Sequence, residues 1–245
     1  MIRSYGISEV GLVRKVNEDS IRIGDKPFFI LADGMGGYEG GQIASTSAVQ
    51  AAESFLIPLS ETTYSEEQIR KAILCANQAI LRRKIESGDL AYMGTTMVVA
   101  AISGSHLFWG HVGDSRLYIF SENILTQITK DHSFVMTLVE EGKLTREEMS
   151  THPRKNEITR AVGISGSLDV DTGYVDLPDK SLILICSDGL TTLLSDDRIE
   201  HILSSHGRTE TELQSCGNEL MREVYAAGAT DNTSAILIYV ENNGV

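Results

Sequence analysis

Two apolar runs in this chain end alike: FFILADG delivers Asp33 followed by Gly34, and LILICSDG delivers Asp188 followed by Gly189. GATDNTSAILIYV sets Asp231 just before a strong apolar run, and GHVGDSRLYIF sets Asp114 at a glycine-marked turn between two more. A single aspartate in such a place is ordinarily a turn or cap residue. Four at strand ends, three of them beside glycine, ask for a further reason. Clustered carboxylates raise one another's pKa and cannot all stay ionised without a compensating charge. A hard divalent cation supplies that charge, and an oxygen-only ligand set favours magnesium or manganese over zinc. Gly34 adds a backbone carbonyl that, with no side chain in the way, can approach a metal closely.

Other templates fail on particular residues. A Walker loop needs lysine after its last glycine, but Gln42 follows Gly41, and neither register of the nearby glycines gives the dinucleotide pattern. DVDTGYVD begins like a calcium loop, yet Tyr174 stands at the required glycine and Lys180 at the required glutamate. Cys75, Cys186 and Cys216 are odd in number and lack metal-ligand spacing, so they are expected to be buried thiols. A net charge of −13 disfavours nucleic acid as a partner. A chain so acidic needs bound cations or a placed arginine to receive a phosphorylated substrate.

These aspartates need strands to carry them. Runs rich in β-branched and aromatic residues predict strands over 28–32, 97–102, 106–112, 117–120, 181–186 and 234–240. Apolar residues recurring at three and four predict helices over 42–56 and 66–85; further helices are expected over 134–141, 196–203 and 211–227. Strands blocked between helices, without regular alternation, predict an α+β sandwich. With 42% hydrophobic residues and no linker-like stretch, residues 1–245 are read as one domain. The polar segment 133–160, containing THPRKNE, is expected to project as a flap or to be a plain surface connection. No run approaches a membrane span, and MIRSYGISEV lacks the apolar core of a signal peptide, so a cytoplasmic protein is expected.

Read in order, Arg14 with Asn17-Glu18-Asp19, ADGMGG, Gly94-Thr95-Thr96, GHVGDSR, Asp131-His132-Ser133, ITRAVG, CSDGL and ATDN resemble the type 2C (PPM) family of metal-dependent protein Ser/Thr phosphatases in its bacterial form. The blocks span nearly the whole chain in the family's order. The resemblance implies a four-layer sandwich, two antiparallel β-sheets flanked by α-helices on both sides, with a binuclear Mn2+ or Mg2+ centre. Asp33 would bridge both ions, Asp188 and Asp231 would complete the first, and the Gly34 carbonyl would serve the second. Glu18 would hold the second ion directly or through water, Asp114 would help to hold a third, weaker ion, and Arg14 would clamp the substrate phosphate. Phosphorylated proteins, substrates of a cognate Ser/Thr kinase, would be the partners of a monomeric enzyme.

Many eukaryotic members carry histidine where Met35 stands, so the acid that protonates the leaving group is open between a water near Asp114 and His152. Two cations can lower the pKa of a shared water and make hydroxide at neutral pH. Cations and a guanidinium together can stabilise the phosphoryl oxygens during in-line attack. Two other readings are carried forward: a catalytically silent relative acting as a regulatory module, and a metal-dependent hydrolase of small phosphate esters or diesters.

Overall fold

A computed structural model of the chain describes residues 1–24, 26–37, 39–59, 64–87 and 92–241. In chain order the elements are β1 (Ile2–Glu9), β2 (Asp19–Ile23), β3 (Phe28–Met35), α1 (Gly40–Leu56), α2 (Glu66–Ser87), β4 (Gly94–Thr95), β5 (Met97–Ser103), β6 (His106–Val112), β7 (Arg116–Ser121) and β8 (Ile124–Gln127). There follow α3 (Phe134–Glu140), α4 (Arg146–Met149), β9 (Asp171–Asp176), β10 (Ser181–Cys186), α5 (Asp188–Thr191), α6 (Asp196–Ser205), α7 (Glu210–Ala226) and β11 (Thr233–Val240). One sheet runs β1-β11-β10-β7-β8; the other runs β2-β3-β5-β6-β9, with β4 paired to the end of β3. Every strand pair is antiparallel.

The apolar runs are continuous because the central strands are covered on both faces. Along β3, Phe29 and Leu31 meet Ile183, Ile185, Ile236 and Ile238 between the sheets. Phe28, Ile30 and Ala32 point the other way, onto Ala44 and Ala48 of α1 and Ile73 and Ile80 of α2. The outer face of the first sheet packs Leu182 and Leu184 against Ile199, Ile202, Leu213 and Leu220 of α6 and α7. Successive strand residues face opposite ways, so a strand between two cores has no polar face left. The layers are therefore helix, sheet, sheet, helix, as the resemblance implied.

The structure corrects the elements in places. β3 runs on to Met35, so Asp33 and Gly34 lie within a paired strand and not beyond its end. β1, β2, β8 and β9 escaped the reading because their residues are mostly half-buried and the sequence there is mixed. The rejected calcium loop contains β9, at a sheet edge beside β6. α7 starts at a capping box, in which Thr209 Oγ1 accepts from the Glu212 amide and Glu212 accepts from the Thr209 amide. Segment 133–160 holds the short helices α3 and α4, and its ends are fastened together by a bridge between Ser133 and Ile158.

Candidate metal centre

Asp33 sits opposite Asp19 in the β2–β3 pair. Its backbone is gripped from the other side by the Gly-Thr-Thr block. The Thr96 amide and the Thr95 hydroxyl both donate to the Asp33 carbonyl at 2.8 Å, and the Asp33 amide donates to Thr96 Oγ1 at 3.1 Å. Thr96 in turn shares a 2.7 Å hydroxyl contact with Ser115, which ties this strand to the turn carrying Asp114. Asp188 opens α5 directly after β10, and Asp231 precedes β11. The sandwich thus brings to one end carboxylates from five places in the chain.

Their electrostatics are those of an uncompensated cluster. Burial, with the charges of Asp19, Asp188, Asp114 and Asp231, holds the Asp33 carboxyl well above the usual range. Burial, with Asp188 and Asp131 near, pushes Asp114 up to about 8. Burial also raises Asp188, with Asp231 adding to it, and raises Asp19 to about 6. Asp19 accepts from Ser187 at 2.8 Å and Ser234 at 2.6 Å through one carboxylate oxygen, while the other is buried with no partner. Burial likewise raises Glu18.

Arg14 supplies a counter-charge, donating to Asp231 at 2.7 Å from a half-exposed position, and Arg116 adds another that acts on Asp114 and Asp188. The pKa of Arg14 is raised by its hydrogen bond to Asp231. Asn232 fixes the loop bearing Arg14: its amide nitrogen donates to the carbonyls of Val10 and Val16, and its oxygen accepts from the Glu18 amide at 2.8 Å.

Space and donor chemistry both suit a metal at this end of the sandwich. A Cβ on Gly34 would lie 2.1 Å from the Gly41 carbonyl oxygen and 2.6 Å from that of Glu18; one on Gly41 would lie 2.7 Å from the Glu18 carboxyl carbon. The two glycines therefore let a backbone carbonyl and a carboxylate crowd one spot. The donors are all oxygen, several are buried, and one is orphaned, which suits a hard divalent cation. Among the described residues no three acidic, His or Cys side chains already form a finished coordination shell. Asp231 is turned to Arg14.

Two clefts open on this end of the molecule. Arg14, Val16, Glu18, Gly34 and Met35 line one of about 540 Å³. Asp114 and Asp188 line another of about 310 Å³, whose far wall is Arg146, Met149, Lys155 and Asn156 of segment 133–160. His152 is not on that wall: it accepts from the Arg154 amide and packs near Phe134. Of the residues expected at the centre, Arg14, Glu18 and Gly34 line the first cleft and Asp114 and Asp188 the second, while Asp33, Asp231 and His152 line neither.

The sequence reading assigned no role to Asp19, Asn232 or the Arg116–Asp131 pair, in which the guanidinium grips both carboxylate oxygens at 2.7–3.0 Å. Their signal was present, since each belongs to one of the quoted blocks.

The chain is similar to known proteins over most of its length. The family model described as protein phosphatase 2C matches residues 12–233. A "Serine/threonine phosphatase stp" of Listeria monocytogenes is 34% identical over 235 residues, covering 93% of this chain and 92% of that protein. The crystal structure of the Mycobacterium tuberculosis serine/threonine phosphatase PstP/Ppp superposes with a TM-score of 0.90 at 34% identity, covering 98% of this chain and 99% of that one. A crystal structure of the catalytic domain of PstP in complex with two manganese ions gives a TM-score of 0.88 at 32% identity, with 98% of each chain covered.

Proposed function

The chain belongs to the protein phosphatase 2C family, and we propose that it hydrolyses phosphoserine and phosphothreonine monoesters in proteins at a binuclear centre built on Asp33. The observation that carries this reading is the buried group of Asp19, Asp33, Asp114 and Asp188, whose raised pKa values mark a site lacking cationic charge. Divalent cations bound there supply that charge, polarise the phosphoryl group and ionise water at neutral pH.

The protein's residues divide the remaining work. Asp33, whose backbone is fixed by neighbours on both sides, would hold both ions. Asp188 and Asp231 serve the first ion; the Gly34 carbonyl and Glu18 serve the second. Manganese or magnesium would fit these oxygen donors, and Asp114, on the second cleft, would help to hold a weaker third ion. Arg14, half exposed beside Asp231, swings its planar guanidinium onto two phosphate oxygens. Attack by water breaks the P–O bond to the Ser or Thr side chain and yields inorganic phosphate and a free hydroxyl. Met35 has no proton to give and His152 lines neither cleft, so water beside Asp114 is left to protonate the leaving oxygen.

Segment 133–160, fastened at both ends beside Asp114, acts as a flap over the second cleft. Residues 1–245 work as one monomeric domain in the cytoplasm, on proteins phosphorylated by a cognate Ser/Thr kinase. In support, no described helix is long and apolar enough to cross a membrane.

The test is hydrolysis of a phosphothreonine peptide with and without Mn2+. We expect turnover that disappears with chelator and returns with metal. Full turnover after exhaustive chelation would refute the binuclear reading, metal binding without turnover would favour a silent regulatory module, and preference for diesters would favour a small-ester hydrolase.

A further inference from the structure

The loop that carries Arg14 also carries Leu12 and Val13, each 65% exposed, and Val16, 38% exposed. These side chains are not outward by looseness. The Leu12 amide donates to the Ala229 carbonyl at 2.8 Å, and Asn232 holds the carbonyls of Val10 and Val16. Gly11 has φ +78°, and a Cβ there would lie 2.5 Å from the Asp231 carbonyl oxygen, so the loop is pressed onto the turn beside the carboxylates. A fixed loop that holds three aliphatic side chains in water around a phosphate-binding arginine forms a surface with a use.

A second apolar patch reaches the same cleft through Met35. The ends of Met35 and Ile164 both come within 2.9 Å of where a Cβ on Gly94 would stand, so they meet over that glycine, and Ile164 is 51% exposed. Tyr92, 86% exposed, lays its carbonyl against Gly36. Val16 and Met35 share the 540 Å³ cleft with Arg14, Glu18 and Gly34, so the apolar surfaces adjoin the metal centre. In an extended segment anchored by its phosphate, side chains up to three residues away lie within about 10 Å, which brings them onto these rims. The charge of −13 works against acidic neighbours.

We propose that the two rims, Leu12-Val13-Val16 and Met35-Ile164, select phosphoprotein segments with large aliphatic or aromatic side chains next to the phosphoserine or phosphothreonine. The inference rests on the phosphatase reading above and names its substrate class. The experiment compares phosphothreonine peptides of one length whose flanking residues are Leu, Gly or Asp, with p-nitrophenyl phosphate as a substrate too small to reach either rim. Wild-type protein should use the Leu-flanked peptide about tenfold better in kcat/KM than the Gly-flanked one. Leu12→Ser and Ile164→Ser should each lower that preference about threefold, and the double variant should abolish it, while p-nitrophenyl phosphate hydrolysis stays within about twofold.

Equal use of all peptides, or preference for Asp flanks, would overturn the proposal while p-nitrophenyl phosphate is still hydrolysed. Failure to hydrolyse either kind of substrate would instead overturn the phosphatase reading beneath it. A wild-type dimer in sedimentation that Leu12→Ser dissociates, with peptide preference unchanged, would reassign the rim to a second copy of the chain.

Discussion

At the scale of single residues, Arg14 and the aspartates around it have opposite jobs that the structure holds in one contact. Its 2.7 Å ion pair to Asp231 lies between half-exposed groups, so it is worth little by itself and is easily exchanged for a phosphate. Arg14→Ala should lower kcat/KM for a phosphopeptide by roughly 10- to 100-fold, the worth of a charged hydrogen bond. Manganese binding should be equal or tighter, because Asp231 is released. Calorimetric titration beside peptide kinetics checks both halves, and unchanged kinetics would remove Arg14 from the phosphate site.

His111 makes a second residue-scale prediction. It is fully buried 4.6 Å from the His132 ring, and neither ring nitrogen has a hydrogen-bond partner of normal geometry. Burial, with His132 beside it, lowers its pKa to about 3. The unfolded chain, with a histidine pKa of about 6.5, therefore binds more protons between these limits than the folded one. This group's stability is fully present above about pH 7 and is lost as pH falls toward 3; at pH 5 the loss is roughly 2 kcal/mol. Urea unfolding of wild type and His111→Phe at pH 7.5 and pH 5 should show the smaller pH dependence in the variant. Parallel behaviour would mean that His111 is not buried neutral.

At the scale of elements, the sequence showed which strands bear acids more clearly than how the acids are held. The continuous apolar runs of β3, β5, β10 and β11 were legible because strands covered on both faces leave no polar alternation. β1, β2 and β9 were not, since half-buried strands lack that signature. The extension of β3 through Asp33 and Gly34 was also hidden. It depends on β4, which is distant in sequence, and on β2, which is adjacent but weak in pattern. Gly34→Ala tests that packing: its Cβ would stand 2.1 Å from a backbone oxygen of α1, so strand or helix must shift. We expect a loss of about 1–3 kcal/mol of stability and weaker manganese binding. Asn232→Ala, which strands the carbonyls of Val10 and Val16 and the Glu18 amide, should lose roughly 2–4 kcal/mol and most of its turnover. Thermal unfolding and peptide kinetics read both variants, and wild-type values in either would show that the loop and cradle are not held as described.

At the scale of the whole molecule, the four layers bring residues from positions 14 to 231 to one end of two sheets. Composition and periodicity predicted a sandwich of strands and helices; the strand-end positions of Asp33, Asp114, Asp188 and Asp231 suggested a cluster, and the order of the motif blocks assigned its members their places. Strand order is set by pairings such as β1 with β11, across almost the full chain, and no local pattern encodes these. The resulting centre needs cations to hold its carboxylates ionised, so metal binding should stabilise the fold as well as enable hydrolysis.

Calorimetric Mn2+ titration of chelator-treated wild type, Asp33→Asn and Asp114→Asn, each followed by phosphopeptide kinetics, tests this most directly. Two tight sites in wild type should be lost together with turnover in Asp33→Asn. Asp114→Asn should keep both tight sites and turn over much more slowly. Tight binding of two ions by Asp33→Asn, or loss of both by Asp114→Asn, would contradict a binuclear centre bridged by Asp33.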